Sequence, residues 1–358
     1  MVVCKLAFCI TELNVGGAER IMSELAVQLA RRNFSVTVYS LQPRPVGVSC
    51  VSQLESAAVP VRFLDMRGKL SFAPGLLRLQ KLLKEESPDI FLSFMFHANF
   101  LGRLAAYFAG VKHVVSGIRV AERGAGWHLK LDKWTSGFVE KYICVSNSVA
   151  EFSKNVGGLS ASKICVIPNG VVIPQSINES SRNRIIFVGR LDYQKGVDWL
   201  IRTLPDWLPR LSDWEFVIVG DGILRNEIES QVDDSLRRQV KFLGWRADVS
   251  DLIAESKLLL LTSRWEGMPN VLLQAMSEAK PVVATAVEGI FELLGNGVEE
   301  QTCEFGNSRQ FAQKILNIAN NQTRATQLGQ ENRQRIIDNF SLEKMVQEYE
   351  QLLLKINS

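Results

Sequence analysis

Twice along this 358-residue chain a strand-and-helix alternation sets in and later stops, and few folds are open to a chain patterned in that way. Apolar runs at 2–10, 34–41, 89–94, 113–116 and 141–146 alternate with helical periodicity at 18–31, 72–85, 98–109 and 147–155. A strand that returns beside its predecessor in the same direction needs a crossover, and a helix in each crossover makes the sheet parallel. The rhythm restarts at 184–189, 215–220, 239–243, 257–262 and 281–285, with helical patterns at 196–208, 223–231, 248–255, 270–279, 289–294 and 308–319. Between the two lies a polar stretch, 174–184, carrying Pro174, Ser176, Asn178, Ser180, Ser181 and Asn183, which reads as a linker. The expected organisation is α/β: a doubly wound Rossmann-like domain over 1–173, the linker over 174–184, a second such domain over 185–340, and a closing segment, 341–358. Its helix, about Leu342 to Lys355, is expected to pack back onto the first domain. Two such domains facing each other leave a cleft at the carboxyl ends of their strands, where ligands of these sheets bind.

Composition fits this and removes several classes of function. With 46% hydrophobic and 22% charged residues the chain is an ordinary globular protein, long enough for two cores. No apolar run approaches a membrane span, and the opening Met1 to Ile10 holds Lys5 and lacks a cleavage-like end, so it reads as a buried first strand. Cys4, Cys9, Cys50, Cys144, Cys165 and Cys303 sit mainly in apolar runs and form no CxxC pair, which suggests neither a disulfide framework nor a zinc site. The expected compartment is the cytoplasm, at the inner face of the cytoplasmic membrane.

Charge is unevenly spread. Residues 1–175 carry 20 Lys+Arg against 12 Asp+Glu, a balance of +8, and the remainder carries 41−20 = 21 against 38−12 = 26, a balance of −5. A basic half suggests that the first domain meets an anionic surface or substrate. Arg62, Arg67, Lys69, Arg78, Lys81 and Lys84 cluster around the amphipathic stretch Leu76 to Leu83, which suits a membrane headgroup layer. Solvated helix faces give the same pattern.

The stretch richest in chemistry is Ser263-Arg264-Trp265-Glu266-Gly267-Met268-Pro269-Asn270-Val271-Leu272-Leu273-Gln274-Ala275-Met276, which directly follows the apolar run Leu258 to Thr262. Asn270 is a good N-cap, and Val271, Leu272, Ala275 and Met276 recur at helical spacing, so a helix is expected to begin there. The first amides of a helix lack internal partners and, with the positive end of its dipole, favour a phosphate. A carboxylate beside such a site, here Glu266, is suited to accept hydrogen bonds from ligand hydroxyls. A nucleoside diphosphate joined to a sugar satisfies both demands; a solvated loop glutamate ahead of an ordinary packed helix is an equal alternative.

Three further constellations fall at strand ends. Asn14-Val15-Gly16-Gly17-Ala18-Glu19-Arg20 places a glycine pair where bare backbone can approach a phosphate, although it lacks the GxGxxG spacing of dinucleotide binders. Gly189-Arg190-Leu191-Asp192-Tyr193-Gln194-Lys195-Gly196 sets two cations after the first strand of the second domain, where Arg190 can fork onto phosphate oxygens and Lys195 can add a compact charge. Both also suit an ordinary surface. In Val219-Gly220-Asp221-Gly222, Asp221 reads as a turn residue.

In this order the motifs carry a resemblance. The chain resembles retaining glycosyltransferases of family 4, of the two-domain GT-B architecture, over nearly its whole length. The pieces are Gly16-Gly17-Ala18-Glu19-Arg20, Arg190 with Lys195-Gly196, Val219-Gly220-Asp221-Gly222, Phe242-Leu243-Gly244-Trp245, and Glu266 to Asn270 running on to Pro281-Val282-Val283-Ala284-Thr285. The subgroup with the GGAER loop is similar to enzymes that build bacterial glycans on lipid-linked or surface-polysaccharide intermediates.

That resemblance implies a role for each matching residue. Arg190 and Lys195 would hold the donor diphosphate and stabilise it as the leaving group. Glu266 would bind donor-sugar hydroxyls, the segment Gly267, Met268, Pro269, Asn270 and Val271 would contact sugar or phosphate, and the stretch Gly244 to Arg246 would meet the base. His97, in Phe94-Met95-Phe96-His97-Ala98-Asn99, would stand beside the reaction centre; a buried histidine among aromatics is the alternative. Gly16 and Gly17 would approach the ligand, and Arg119 and Glu122 would line the acceptor side. The family carries a second glutamate eight residues after the first, which binds the ribose hydroxyls, and this chain has Gln274 there. An amide keeps one acceptor and gains a donor but loses the charge-assisted strength, at a cost on the order of 1 kcal/mol.

The implied reaction transfers a sugar from a nucleotide-sugar, with UDP foremost and GDP next, to a saccharide or lipid-diphosphate-linked acceptor, by departure of the diphosphate on the face the acceptor enters. No Asp-x-Asp metal motif occurs, so the implied chemistry uses no metal and no cofactor, with Arg190 and Lys195 in the metal's place. No nucleic-acid partner is expected. Two alternatives stay open: a weakened or noncatalytic relative, because of Gln274, and a sugar-nucleotide epimerase of the same fold. An NAD-dependent oxidoreductase is disfavoured by the missing GxGxxG.

Overall fold

The computed structural model describes residues 4–121, 126–178 and 182–358, without the side chain of Lys69. Glu122 and the middle of the polar stretch, Ser180 and Ser181 included, lie outside the described residues. The chain divides into two compact units, Met1–Asn169 together with Glu343–Ser358, and Gly170–Leu342.

In the first unit seven strands form one parallel sheet: β1 Lys5–Ile10, β2 Ser35–Ser40, β3 Val61–Phe63, β4 Ile90–Phe94, β5 His113–Ile118, β6 Lys141–Cys144 and β7 Ile164–Val166. Their order is β3-β2-β1-β4-β5-β6-β7. Leu6 to Ile10 are all buried, the mark of a strand covered by helices on both faces. Helix Gly17–Arg31 turns Ile21, Met22, Leu25, Ala26 and Leu29 inward, and Leu79, Leu83, Leu101 and Ala105 pack with Phe91 in one cluster.

The second unit repeats the plan with β8 Arg184–Val188, β9 Glu215–Val219, β10 Val240–Gly244, β11 Leu258–Leu261, β12 Val282–Thr285 and β13 Thr302–Cys303, all parallel in the order β10-β9-β8-β11-β12-β13. Trp207, Phe187, Phe216 and Phe311 fill its core.

In both sheets the order reverses beside the first strand, between β1 and β4 and again between β8 and β11. The connections leave such a switch point toward opposite faces, and a crevice opens outside the carboxyl ends of the two strands. Gly16 follows β1 and His97 follows β4; Arg190 follows β8 and Glu266 follows β11.

Where the first unit ends differs from the compositional reading. It stops at Asn169 because Val171 already belongs to the second unit, accepting from Leu342 N at 2.8 Å and donating to Phe340 O at 3.0 Å. Helix Leu342–Asn357 then carries Met345, Val346, Tyr349, Leu353 and Ile356 into buried positions. Tyr349 lies 6.4 Å from Phe94, ring to ring, and Arg32 reaches Glu343 at 2.7 Å and Glu350 at 2.6 Å. No helix among the described residues is long and apolar enough to cross a membrane.

Candidate active site

At the switch point of the second unit two loops are stitched together. Thr262 Oγ1 donates to Lys195 O at 2.9 Å, Arg264 N to Gln194 O at 2.8 Å, and Gln194 Nε2 to Trp265 O at 3.2 Å. Gly196 makes the approach possible. Its φ is +65°, and a Cβ there would stand 2.0 Å from Thr262 O.

The stitching brings together two residues singled out in the sequence. Lys195 Nζ donates to Glu266 Oε1, which also accepts from Ser263 Oγ at 2.7 Å. Both side chains are largely enclosed, at 16% and 9% exposure, so each charge needs the other. The chemistry is not exhausted by the pairing. An ammonium has three donors, and Oε2 of Glu266 can still accept from a hydroxyl. Arg190 stands apart, 68% exposed, held by Asp192 at 3.2 Å and Gln194 Oε1 at 2.8 Å.

Helix Asn270–Ser277 starts beside this pair, but its cap is not Asn270. Pro269, at φ −76° and ψ 114°, is the capping position and Asn270 the first helical residue, because a proline with fixed φ already provides the extended turn into the helix. Pro269 itself contributes no side-chain cap bond. Gly267, Met268 and Pro269 are buried as the loop folds under the pair, and Val271 is half-buried. Gln274 donates from Nε2 to Ser250 Oγ at 2.5 Å, which leaves its carbonyl oxygen as the group able to accept from a ligand. Arg246 is engaged elsewhere: both its ends grip Asp248, at 2.7 and 2.5 Å, on the surface. Asp221 is a turn residue here, accepting from Gly222 N at 2.8 Å and pairing with Arg225 at 3.1 Å.

Two residues that sequence reasoning assigned no role hold these loops in place. Arg264 reaches Asp198 and also donates to Tyr193 O at 2.5 Å, with its guanidinium between the rings of Tyr193 and Phe305, at 3.6 and 4.6 Å. The partners are 66 residues apart, and the one local cue was an acid in the first turn of helix Val197–Trp207.

The first unit's switch point is built differently. Gly16 is the N-cap of helix Gly17–Arg31, and the Glu19 carboxylate folds back over it, so a Cβ on Gly16 would lie 2.1 Å from Glu19 Oε2. A side chain on Gly16 would have to displace that carboxylate; Gly17 is exposed. Between β4 and helix Phe96–Ala109, Met95 adopts φ +73°, a conformation costing a non-glycine residue about 1–3 kcal/mol and commonest where function demands it. It sets His97 at the start of the helix, exposed, with its ring 5.4 Å from Phe96 and 6.1 Å from His128. The alternative of a buried histidine is thereby removed. Arg119 is stacked on Phe94 at 4.7 Å and donates to Asn169 Oδ1, and burial lowers its pKa from the ordinary value. It braces the end of the first unit. Among the described residues no group of three or more His, Cys, Asp or Glu is placed to hold a metal ion.

Two family profiles match in succession: Glycosyltransferase Family 4 over residues 15–173 and Glycosyl transferases group 1 over residues 182–321. The chain therefore carries a glycosyltransferase family 4 domain followed by a group 1 glycosyltransferase domain. An Escherichia coli enzyme, UDP-Gal:alpha-D-GlcNAc-diphosphoundecaprenol alpha-1,3-galactosyltransferase, is 29% identical over 95% of this chain and 94% of its own. A Campylobacter jejuni enzyme, GalNAc-alpha-(1->4)-GalNAc-alpha-(1->3)-diNAcBac-PP-undecaprenol alpha-1,4-N-acetyl-D-galactosaminyltransferase, is 26% identical over 99% of both chains. Among solved structures, Anabaena Alr3699/HepE in complex with UDP and glucose superposes with a TM-score of 0.85 at 22% identity, covering 98% of this chain and 99% of that one. TarM of S. aureus does so with 0.79 at 14% identity, covering 99% and 100%. The fold of this glycosyltransferase is GT-B.

Proposed function

We propose that this glycosyltransferase moves a sugar from a UDP-sugar to a saccharide carried on a lipid diphosphate, with retention at the anomeric carbon, in bacterial glycan assembly. One observation carries the reading: the Lys195–Glu266 pair and the start of helix Asn270–Ser277 share the β8/β11 switch point. The two relatives support it by their names, since both take acceptors on undecaprenyl diphosphate.

In this reading the ammonium of Lys195 and the guanidinium of Arg190 take the charge that develops on the departing diphosphate, with help from the helix start. No metal is needed for that charge. Glu266 keeps Lys195 oriented through Oε1 and orders the donor sugar through Oε2, while Gln274 accepts from the ribose. The acceptor hydroxyl enters on the face that the diphosphate leaves. A lipid-borne acceptor also implies peripheral contact with an anionic membrane surface at the cytoplasmic side.

The test is transfer by the purified protein with a panel of UDP- and GDP-sugars and lipid-diphosphate acceptors, alongside Lys195→Met and Glu266→Ala. Transfer that both substitutions abolish supports the reading, and the anomeric configuration of the product decides retention. Gln274 favours one second reading, a donor-binding protein without turnover. Donor binding with no product from any acceptor would establish it, and an epimerised nucleotide-sugar would point to an epimerase.

A further inference from the structure

The basic run around 62–84 is weakened as a membrane surface, because three of its cations are answered locally: Arg62 lies 3.5 Å from Glu86, Arg78 3.0 Å from Asp65, and Lys81 3.8 Å from Glu85. Another face of the first unit has the opposite character. Helix Gly126–Trp134 buries none of its residues. Trp127, Lys130 and Trp134 recur at helical spacing on one side, with Trp127 58% and Trp134 67% exposed and Lys130 and Lys133 exposed beside them.

The rings continue onto neighbouring helices as a band. Phe96 lies 5.4 Å from Trp127 and 6.3 Å from Phe100, and Phe100 lies 6.3 Å from Trp134 and 5.8 Å from Phe72. Leu70, two residues before Phe72 in the chain, is 97% exposed. The helix's acid does not offset its lysines at the surface, since Asp132 turns inward to Arg103 at 2.6 Å. A nine-residue helix with nothing buried is not held by its own core contacts, and exposed tryptophans interleaved with lysines match the boundary between headgroups and acyl chains, where an indole is half-wetted and an ammonium meets phosphate.

We infer that this face, centred on Trp134 and Trp127, docks on an anionic bilayer, with the rings at the headgroup–acyl boundary and Lys130 and Lys133 on the headgroups. The inference rests on the reading of a lipid-borne acceptor and names the surface that meets the lipid. Charge decides against self-association, because a second copy would bring the same lysines against one another.

The experiment is co-sedimentation of the full chain with phosphatidylcholine vesicles, with and without phosphatidylglycerol. Binding is expected only with the anionic lipid, weakened about tenfold by Trp134→Ser and to a similar degree by Lys130→Gln with Lys133→Gln, and unchanged by Arg78→Ala with Lys81→Ala. These residues are exposed, so an unaltered thermal midpoint checks folding. Transfer to a short-chain, water-soluble acceptor is measured on the same proteins and is expected to be unaffected. No transfer to any acceptor by the parent protein would sink the proposed function while leaving the vesicle result interpretable. Wild-type binding retained by the Trp134→Ser variant overturns the inference, as does a dimer that Trp134→Ser dissociates.

Discussion

Arg264 grips Asp198 with both ends of its guanidinium, Nη1 to Oδ1 and Nη2 to Oδ2, each at 2.8 Å. The pair is mostly enclosed, at 13% and 16% exposure, and it ties the loop carrying Glu266 to the helix that follows Lys195. Arg264→Ala is expected to cost about 2 kcal/mol of stability, and Arg264→Lys to recover little of it, since an ammonium cannot reproduce the fork. Urea unfolding of both variants measures this. The same bonds hold the Asp198 carboxyl below its ordinary 3.8, so the pair's stabilisation is complete above that value and is lost as pH falls through the lower folded pKa. The stability gap between the parent protein and Asp198→Asn should therefore narrow below about pH 4.

Lys195 and Glu266 should behave as one unit. Each of Lys195→Met and Glu266→Gln is expected to lower kcat by about a hundredfold or more. The double variant should be only slightly worse than either, because the first substitution already strands the partner. Additive losses in kcat would show that the two act independently.

A carboxylate at position 274 has a ready neighbour, because the Ser250 hydroxyl that now accepts from Gln274 can rotate to donate instead. Gln274→Glu is expected to tighten UDP binding about fivefold, in line with roughly 1 kcal/mol for a charge-assisted bond. Calorimetric titration with UDP reads the change directly.

Gly16→Ala is expected to destabilise the first unit by about 1–3 kcal/mol, because the new methyl meets the Glu19 carboxylate. Adding Glu19→Ala should relieve the clash and return part of the loss. A Gly16→Ala protein as stable as its parent would show that the carboxylate moves aside freely.

The thiols should be inert. Burial pushes Cys144 and Cys303 up to about 12, raises Cys9 further, and also raises Cys50 and Cys165. Only the thiolate attacks a disulfide reagent, so at pH 8 the native protein should react with Ellman's reagent far more slowly than the urea-unfolded chain.

Much of this architecture was written locally. The buried strands β1, β4, β8, β9 and β11 are largely apolar runs, and their helices show one-sided periodicity, so element order and the parallel sheets followed from pattern alone. What escaped was either short or held by distant partners. β3, β7 and β13 have three, three and two residues, too few for any period. Helix Gln322–Asn339 turns few apolar side chains inward and includes the buried Asn332, which is satisfied by Gln301 at 3.0 and 2.9 Å and by Lys280 O at 3.1 Å. The site shows the same division. Lys195 and Glu266 were visible as residue types at strand ends, but the bond between them, and the Arg264–Asp198 clamp behind it, join positions some seventy apart in sequence. Arg119 shows it too: only the fold brings Phe94 and Asn169 to it.

The return of the last helix has a consequence for synthesis. The second unit is one contiguous stretch, Gly170–Leu342, and has all of its core once that stretch has left the ribosome. The first unit, although translated earlier, lacks Tyr349 and Leu353 until the final helix emerges. Domain-by-domain maturation from the amino terminus is thus reversed here: the later half is competent first, and the earlier half stays partly open and available to chaperones while it waits.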